Sequence, residues 1–267
     1  MLASEIWLAV FDVCLTRYED VKPKPLKQLL GSLTSILARK YQGSTKSLIQ
    51  KAVVNAIVPS IILGEPRSRL KGSLVCLEMF LRKSAILPSE FIALVRKWLV
   101  ENLDKWEPMF HKDYQTLSHG VSGPDPISKD LSDEVAARVF TLGLLNQTNN
   151  RELAGTSGHL LAVLLQRLMA ESPGQEPSMI WVSPVRYMLL NNLESLEFLS
   201  TQILQPIFSV DPAGFASFIK TLPLASLLDG EMTDAAHSEF LLLFVSLQMG
   251  KKANLVHEDC ELKHGSF

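Results

Sequence analysis

Apolar residues recur at helical spacing along almost the whole chain, and this periodicity constrains the fold more than any other feature. One stripe, at intervals of four, three and four residues, consists of Leu70, Leu74, Leu77 and Leu81. Residues with that spacing lie on one side of an α-helix. Residues 135–145 repeat the pattern, and we find no sustained alternation of apolar and polar residues of the kind typical of strands. The sequence therefore predicts an all-α fold.

Proline, glycine and serine separate these helices, and the helices fall into consecutive pairs. The predicted pairs recur roughly every 40–45 residues and occupy 25–63, 66–103, 131–170 and 181–221. This repeat length is typical of a solenoid of stacked helical hairpins, although an irregular helical bundle gives similar spacing. We predict one superhelical segment of about 9–11 helices over residues 1–267. The apolar pattern starts and stops abruptly, which leads us to expect a fragment of a longer protein.

Capping signals predict where several helices start. Proline is favoured in the first helical turn and serine at the N-cap, so Pro88 and Ser89 predict the cap of a helix over 89–103. Ser132, followed by two acidic residues, predicts the start of a helix over 131–147. The glycine-rich stretch 155–158 predicts a loose helix start that lets two helices approach.

Two segments resemble the acid-then-Val-Arg start of the second helix in HEAT and armadillo repeats. They are Glu65-Pro-Arg-Ser-Arg69-Leu-Lys-Gly-Ser-Leu74 and Ser132-Asp133-Glu-Val135-Ala-Ala-Arg138-Val139. The first lacks the Asp, and in the second Arg138 follows Ala137. The resemblance implies a HEAT/armadillo-like scaffold with a concave binding surface and no catalytic activity. The chain also resembles a segment of a large fungal armadillo-like protein of the THADA type, which implies an RNA-linked adaptor supporting a tRNA-modifying methyltransferase.

Charge is segregated along the chain, although the whole protein has a net charge of only −2. Residues 1–112 hold 17 Lys/Arg against 10 Asp/Glu, whereas residues 113–267 hold 9 against 18. A surface of one sign raises the local concentration of oppositely charged partners. The basic half, 1–112, therefore predicts an acidic protein partner. The acidic half, 131–267, predicts a basic partner or a neighbouring segment of the same protein.

Twelve basic residues form the predicted partner-binding patch, and between Val21 and Lys83 only Glu65 and Glu78 oppose them. The patch consists of Lys22, Lys24, Lys27, Arg39, Lys40, Lys46, Lys51, Arg67, Arg69, Lys71, Arg82 and Lys83. Three roles are open: solvated or intramolecular contacts, some of them favoured by helix C-termini, an acidic protein partner, and RNA or DNA. Nucleic acid is disfavoured because only Tyr18 and Tyr41 lie nearby for base stacking and the whole chain is not basic.

Signatures of catalysis are missing from the sequence. It contains no Gly-x-Ser-x-Gly elbow, Walker loop, Gly-x-Gly-x-x-Gly or His-Glu-x-x-His motif. We therefore predict no enzymatic activity, no cofactor and no small-molecule substrate. A helical enzyme with an unrecognised site is a further alternative, and its site would lie in the polar loop 111–130 around His111, Asp113 and His119.

The tail contains the best candidate for metal ligation. His257, Cys260 and His264 would share one side of a helix, and their nitrogen and sulfur atoms are ligands that suit zinc. A structural zinc site takes four ligands and only three are present. We therefore predict no metal site.

Apolar runs and cysteines bear on location in the cell. The longest runs without a charged residue have only about 13–14 residues, whereas a membrane span takes roughly 20. We interpret these runs as buried helices and predict no membrane association. Cys14, Cys76 and Cys260 are odd in number and widely spaced, which suits a reducing compartment with no disulfide framework. The start of the chain lacks the basic region of a signal peptide, so we predict a cytoplasmic or nuclear protein.

Overall fold

The structure is a computed structural model that describes residues 2–18, 44–109, 131–147, 151–174, 176–191 and 199–221, with the isolated positions 28 and 32. Every element in these ranges is helical, which confirms the predicted all-α class. The helices are α1 (Leu2–Thr16), α2 (Ser44–Ala52), α3 (Val58–Leu63), α4 (Arg67–Arg82), α5 (Pro88–Glu101), α6 (Asp133–Asn146), α7 (Arg151–Glu171), α8 (Ser178–Asn191), α9 (Gln205–Val210) and α10 (Pro212–Lys220). Two π-helical segments, Val53–Ile57 and Leu199–Leu204, lead into α3 and α9.

Helix boundaries agree with the sequence pattern at several places. The predicted helices 66–83, 131–147 and 151–170 correspond to α4, α6 and α7. Ser132 is the N-cap of α6, and its hydroxyl accepts a hydrogen bond from the backbone N–H of Val135 at 3.2 Å. Such a bond satisfies one of the donors that the first turn of a helix leaves open. Residues 25–43 of the predicted pair 25–63 lie outside the described residues, apart from positions 28 and 32.

The predicted start of α5 is confirmed for Pro88, which lies in the first turn, and is wrong for Ser89 as the N-cap. Ser89 lies inside the helix, whose N-cap is Leu87. The backbone N–H of Ser89 donates to Oε2 of Glu171 at 2.9 Å, and its hydroxyl donates to Oε1. A carboxylate at the end of α7 therefore satisfies a first-turn donor of α5, and its negative charge is favourable at a helix N-terminus. The cap comes from a residue distant in sequence, which local signals do not reveal.

Both π-helical segments end two residues before a proline. Val53–Ile57 precedes Pro59, and Leu199–Leu204 precedes Pro206. Proline has no N–H to donate to the carbonyl four residues earlier, so α-helical bonding cannot continue through these positions. In the first segment the N–H of Val58 instead donates to the carbonyl of Val53, five residues earlier. The wider turn accommodates the proline without ending the helix.

The helices lie in two rows, and neighbours within a row are not consecutive in the chain. In the first row α1 packs on α4, α4 on α7, and α7 on the second π-helical segment and α9. In the second row α3 packs on α6, α6 on α8, and α8 on α10. Helix α5 contacts both α6 and α7. The apolar side of each row member is thus covered by a helix from a later or earlier part of the chain.

Aromatic pairs join neighbouring helices in the core. Phe11 of α1 stacks on Phe80 of α4 with a centroid distance of 6.1 Å. Phe91 of α5 meets Phe140 of α6 edge to face at 4.9 Å. Such pairs add roughly 0.5–1.5 kcal/mol to the stabilisation from area burial. They fix which sides of the helices face each other.

Two glycines lie where the backbones of neighbouring helices in the same row are in close contact. A Cβ on Gly72 of α4 would lie 2.7 Å from the carbonyl oxygen of Leu15 in α1. A Cβ on Gly143 of α6 would lie 3.1 Å from the Cα of Ile62 in α3. Any other residue at these positions would push the two helices apart, so glycine sets their separation.

Gly158 has the same role in the third close approach. The carbonyl oxygen of Gln202, in the second π-helical segment, occupies the space that a Cβ on Gly158 would need. Pro206 cannot donate to this carbonyl, because it lacks an N–H. The prediction of a helix start at 155–158 is wrong, since these residues lie inside α7. The prediction that they let two helices approach is confirmed.

A buried carboxylate fastens the last two described helices. Asp211 is 6 % exposed, and its Oδ2 accepts a hydrogen bond from Nε1 of Trp181 in α8 at 3.0 Å. Its Oδ1 accepts from the backbone N–H of Gly214 at 2.9 Å and so caps α10. Trp181 also meets Phe218 of α10 edge to face at 5.2 Å. One side chain thus caps α10 and ties it to α8.

One helical stretch among the described residues is long and apolar enough, by length and composition, to cross a membrane. It is Lys46–Leu63, which runs through α2, the first π-helical segment and α3. Half of it is buried inside the molecule, and Ile57, Ile61 and Ile62 belong to the core. The absence of membrane association stays a prediction.

Candidate interaction surface

The structure describes seven of the twelve residues in the predicted basic patch. Lys46 and Lys51 lie in α2, Arg67, Arg69, Lys71 and Arg82 lie in α4, and Lys83 follows α4. All seven are exposed or half-buried. The other five, Lys22, Lys24, Lys27, Arg39 and Lys40, lie outside the described residues. The described part of the patch therefore occupies α2 and α4.

Arg69 is used within the molecule. Its Nη2 lies 3.0 Å from Oδ2 of Asp12, and its Nε donates to the hydroxyl of Thr16 at 3.3 Å. The side chains of Arg69 and Asp12 are 31 % and 43 % exposed, so water screens their interaction. Arg69 therefore fastens α1 to α4.

Three further patch residues also have acidic neighbours. Lys46 lies 2.9 Å from Oε1 of Glu90 in α5, which also accepts a hydrogen bond from Gln50 at 2.6 Å. Lys71 lies 3.9 Å from Glu152, at the start of α7. Arg82 contacts Glu78 one turn earlier in α4 at 2.7 Å. These three basic residues therefore form ion pairs within the molecule, which is one of the three roles that the sequence left open.

Two patch residues, Lys51 and Arg67, are exposed and form no ion pair with any residue that the structure describes. Lys83 is not among them, because it makes an interaction of its own. Lys51 lies in α2, and Arg67 begins α4 after the short turn that follows α3. The helix between Lys51 and that turn is roughly 20 Å long at 1.5 Å per residue. Arg67 therefore lies at the turn of one helical hairpin, and Lys51 lies part-way along the first helical stretch of that hairpin.

A surface depression of about 530 Å³ lies between the second half of α5 and the start of α6. Its lining consists of Ala93, Arg96, Lys97, Val100, Glu101, Leu131 and Ser132. Arg96 is 3.1 Å from Asp133, and Lys97 is 3.9 Å from Glu101, so both cations already have acidic neighbours. The described residues of this lining include no histidine or cysteine, and they offer a mixed polar and apolar contact surface.

The part of the chain that the structure describes has no group of three or more His, Cys, Asp or Glu side chains able to hold a metal ion. His159 of α7 is exposed. The predicted alternative enzyme site at 111–130 lies outside the described residues, and so does the tail with His257, Cys260 and His264. The predictions of no catalysis, no cofactor and no metal site stay predictions.

Sequence reasoning missed the acidic partners of the basic residues. The contact of Glu78 with Arg82 follows from their spacing of four residues on a helix. The contact of Asp12 with Arg69 joins two helices more than fifty residues apart, and no local pattern indicates it. The position of a cation in sequence therefore does not reveal whether its charge is available to a partner.

Comparison with known proteins identifies no family for the chain. No protein-family model, no curated protein and no solved structure matches it. The resemblance to HEAT and armadillo repeats stays a prediction from the sequence.

Proposed function

We propose that the chain is a non-catalytic scaffold that binds a protein partner through the surface of a HEAT/armadillo-like helical stack. The observation that carries the proposal is the arrangement of the helices in two rows. From α6 onward, consecutive helices alternate between the second row and the first. Alternation of this kind is what stacked helical hairpins produce, and such stacks present extended surfaces to their partners. Helix α5, which lies between α4 and α6 in the chain, does not belong to either row.

Charge favours an acidic protein partner over nucleic acid. A nucleic acid is bound by several cations that neutralise successive phosphates. Four patch residues have acidic neighbours within the molecule. Lys51 and Arg67, which form no ion pair with a described residue, lie roughly 20 Å apart along the α2–α4 hairpin. Two separated cations suit an acidic protein surface better than a phosphate backbone. Exposed cations of this kind steer association and select partners by charge.

Charge reversal tests the proposal directly. The wild-type chain, the Lys51→Glu/Arg67→Glu variant and an Arg17→Glu/Lys105→Glu control would each be used as bait, with retained proteins quantified by mass spectrometry. The control makes the same change in net charge at exposed residues of the same half of the chain. We expect the first variant to lose about fivefold or more of the retained partner, equivalent to about 1 kcal/mol, and the control to retain it. Equal retention by all three proteins would contradict the proposal.

Nuclease treatment separates the proposal from an RNA-linked adaptor. If the partner is bound as a protein, digestion of RNA and DNA before the pull-down leaves its retention unchanged. If digestion abolishes retention, RNA carries the contact and the adaptor of a tRNA-modifying enzyme becomes the better interpretation. A retention that falls steeply with salt and requires RNA would support the same conclusion.

A further inference from the structure

Two buried cysteines lie on the two helices at the start of the first row. Cys14 of α1 is 5 % exposed, and Cys76 of α4 is fully buried. Both are free thiols. A buried cysteine usually packs as a small apolar side chain, so each alone would need no further explanation. The position of Cys14 relative to Cys76, however, suggests that the two act together.

The contacts between α1 and α4 place these cysteines opposite each other. Leu15 lies against Gly72, and Phe11 stacks on Phe80, so the two helices are antiparallel. Cys14 lies between Phe11 and Leu15 in α1, and Cys76 lies midway between Gly72 and Phe80 in α4. Both cysteines therefore lie between the Leu15–Gly72 contact and the Phe11–Phe80 contact.

The glycine contact makes the separation of the helices suitable for a covalent link. A disulfide requires Cα atoms roughly 4.4–6.8 Å apart, whereas packed helix axes are usually about 8–10 Å apart. The Cα of Leu15 lies only 3.0 Å from where a Cβ on Gly72 would be, so the two backbones are in contact there. Cys76 lies one helical turn from Gly72, and Cys14 is adjacent to Leu15.

We infer that Cys14 and Cys76 form a reversible disulfide that fastens α1 to α4 when the protein meets an oxidised low-molecular-weight disulfide such as glutathione disulfide. The Cys14 thiolate attacks one glutathione sulfur, forms a mixed disulfide and releases one glutathione. The Cys76 thiolate then attacks the sulfur of Cys14 and releases the second. The two protein thiols lose two protons and two electrons, and one glutathione disulfide becomes two glutathione thiols.

Burial determines when this reaction occurs. Desolvation raises the pKa of Cys14, and it raises the pKa of Cys76 well above its ordinary value, with a further contribution from the charge of Cys14. Both groups therefore stay protonated while α1 is packed, and the thiolate is the reactive form. Reaction requires α1 to move away from α4. Among the described helices α1 packs mainly on α4 and also contacts α2, and Val13 of α1 is 59 % exposed.

The experiment uses the full chain with Cys260→Ser, so that Cys14 and Cys76 are its only thiols. The protein would be equilibrated in glutathione buffers of increasing oxidised fraction, alkylated and digested without reduction. We expect a linked peptide that contains Cys14 and Cys76, disappears on reduction, and is accompanied by a rise in Tm of about 5 °C or more. Free thiols at every ratio, or single glutathione adducts without a link, would overturn the inference.

Two helix variants keep the inference testable if cysteine variants fold poorly. Arg69→Ala removes the ion pair that holds α1, and we expect it to accelerate formation of the link several-fold. Arg82→Ala removes an ion pair that lies within α4, and it should leave the rate unchanged. Equal rates in both variants would show that release of α1 does not control the reaction, which would also contradict the inference.

Discussion

The first and last described helices, α1 and α10, are fastened by polar contacts of very different burial. At the amino-terminal end, Arg69 holds α1 through Asp12, and water reaches both side chains. At the carboxyl-terminal end, Asp211 is 6 % exposed and accepts hydrogen bonds from Trp181 and from the first turn of α10. The same kind of residue, an aspartate bound by a donor from another helix, therefore stabilises the two ends to different extents.

Exclusion of water explains the difference. An exposed ion pair contributes roughly 0–1 kcal/mol because water competes for both charges. A hydrogen bond to a charged group contributes about 1.5–3 kcal/mol, and a buried donor left without its acceptor adds a penalty of similar size. The polar contact that fastens α1 therefore contributes less to stability than the one that fastens α10, although both helices also bury aromatic side chains in the core.

The Asp211→Ala variant should have the largest effect. It leaves the Trp181 Nε1–H buried without an acceptor and removes the cap of α10, so we expect a loss of about 3 kcal/mol in the free energy of unfolding. Urea titration measures it. Asp133→Ala is the matched control, because Asp133 is an exposed aspartate in the first turn of α6, and it should cost less than about 1 kcal/mol. Similar losses of unfolding free energy in the two variants would contradict the claim that the buried carboxylate stabilises the fold more than the exposed one.

The Gly158→Ala variant should follow. The new methyl group would occupy the position of the Gln202 carbonyl oxygen, and a backbone cannot be displaced as a flexible side chain can. We expect a destabilisation of about 2–3 kcal/mol, read from the midpoint of urea unfolding. Gly174→Ala is the control, since nothing lies within 4 Å of its Cβ position, and it should stay within about 0.5 kcal/mol of wild type. A neutral Gly158→Ala would mean that α7 and the π-helical segment are not in close contact.

The Gly72→Ala variant should cost less, about 1–2 kcal/mol. Its methyl group would also meet a backbone carbonyl, that of Leu15, but the overlap at 2.7 Å is smaller than the overlap at Gly158. Thermal unfolding gives the loss of stability, and the reactivity of Cys14 and Cys76 toward a thiol reagent reports the shift of α1. A loss as large as that of Gly158→Ala, with both thiols still protected, would show that α1 is held as firmly as the other end.

The Arg69→Ala variant should have the smallest effect on global stability, about 1 kcal/mol or less. The effect should shrink further in high salt because the ion pair is partly exposed. Urea unfolding at low and at high ionic strength checks both statements. A loss above 2 kcal/mol at high salt would indicate that Arg69 stabilises the fold in a way that its contacts with Asp12 and Thr16 do not explain.

The sequence predicts the helices better than it predicts what joins them. The leucine stripe of α4 and the Ser132 cap are local features, so periodicity and capping preference are sufficient to find them. The first turn of α5 is capped by Glu171 of α7. Glycine is needed at position 158 because the carbonyl oxygen of Gln202 lies against it. These contacts join residues far apart in the chain, and a single sequence carries no signal for them. The same limit applies to the basic patch, whose acidic neighbours appear only once α1, α5 and α7 are in place.

Hydrogen exchange of the intact, reduced protein is the most direct test of the difference between the two ends. Backbone amides exchange through local opening, and their rates report the free energy of that opening. We predict that α1 exchanges about tenfold or more faster than α8 and α10, and that oxidation with glutathione disulfide slows exchange in α1 while leaving α10 unchanged. Equal protection of α1 and α10 in the reduced protein, or an α1 that exchanges equally fast after oxidation, would contradict the account.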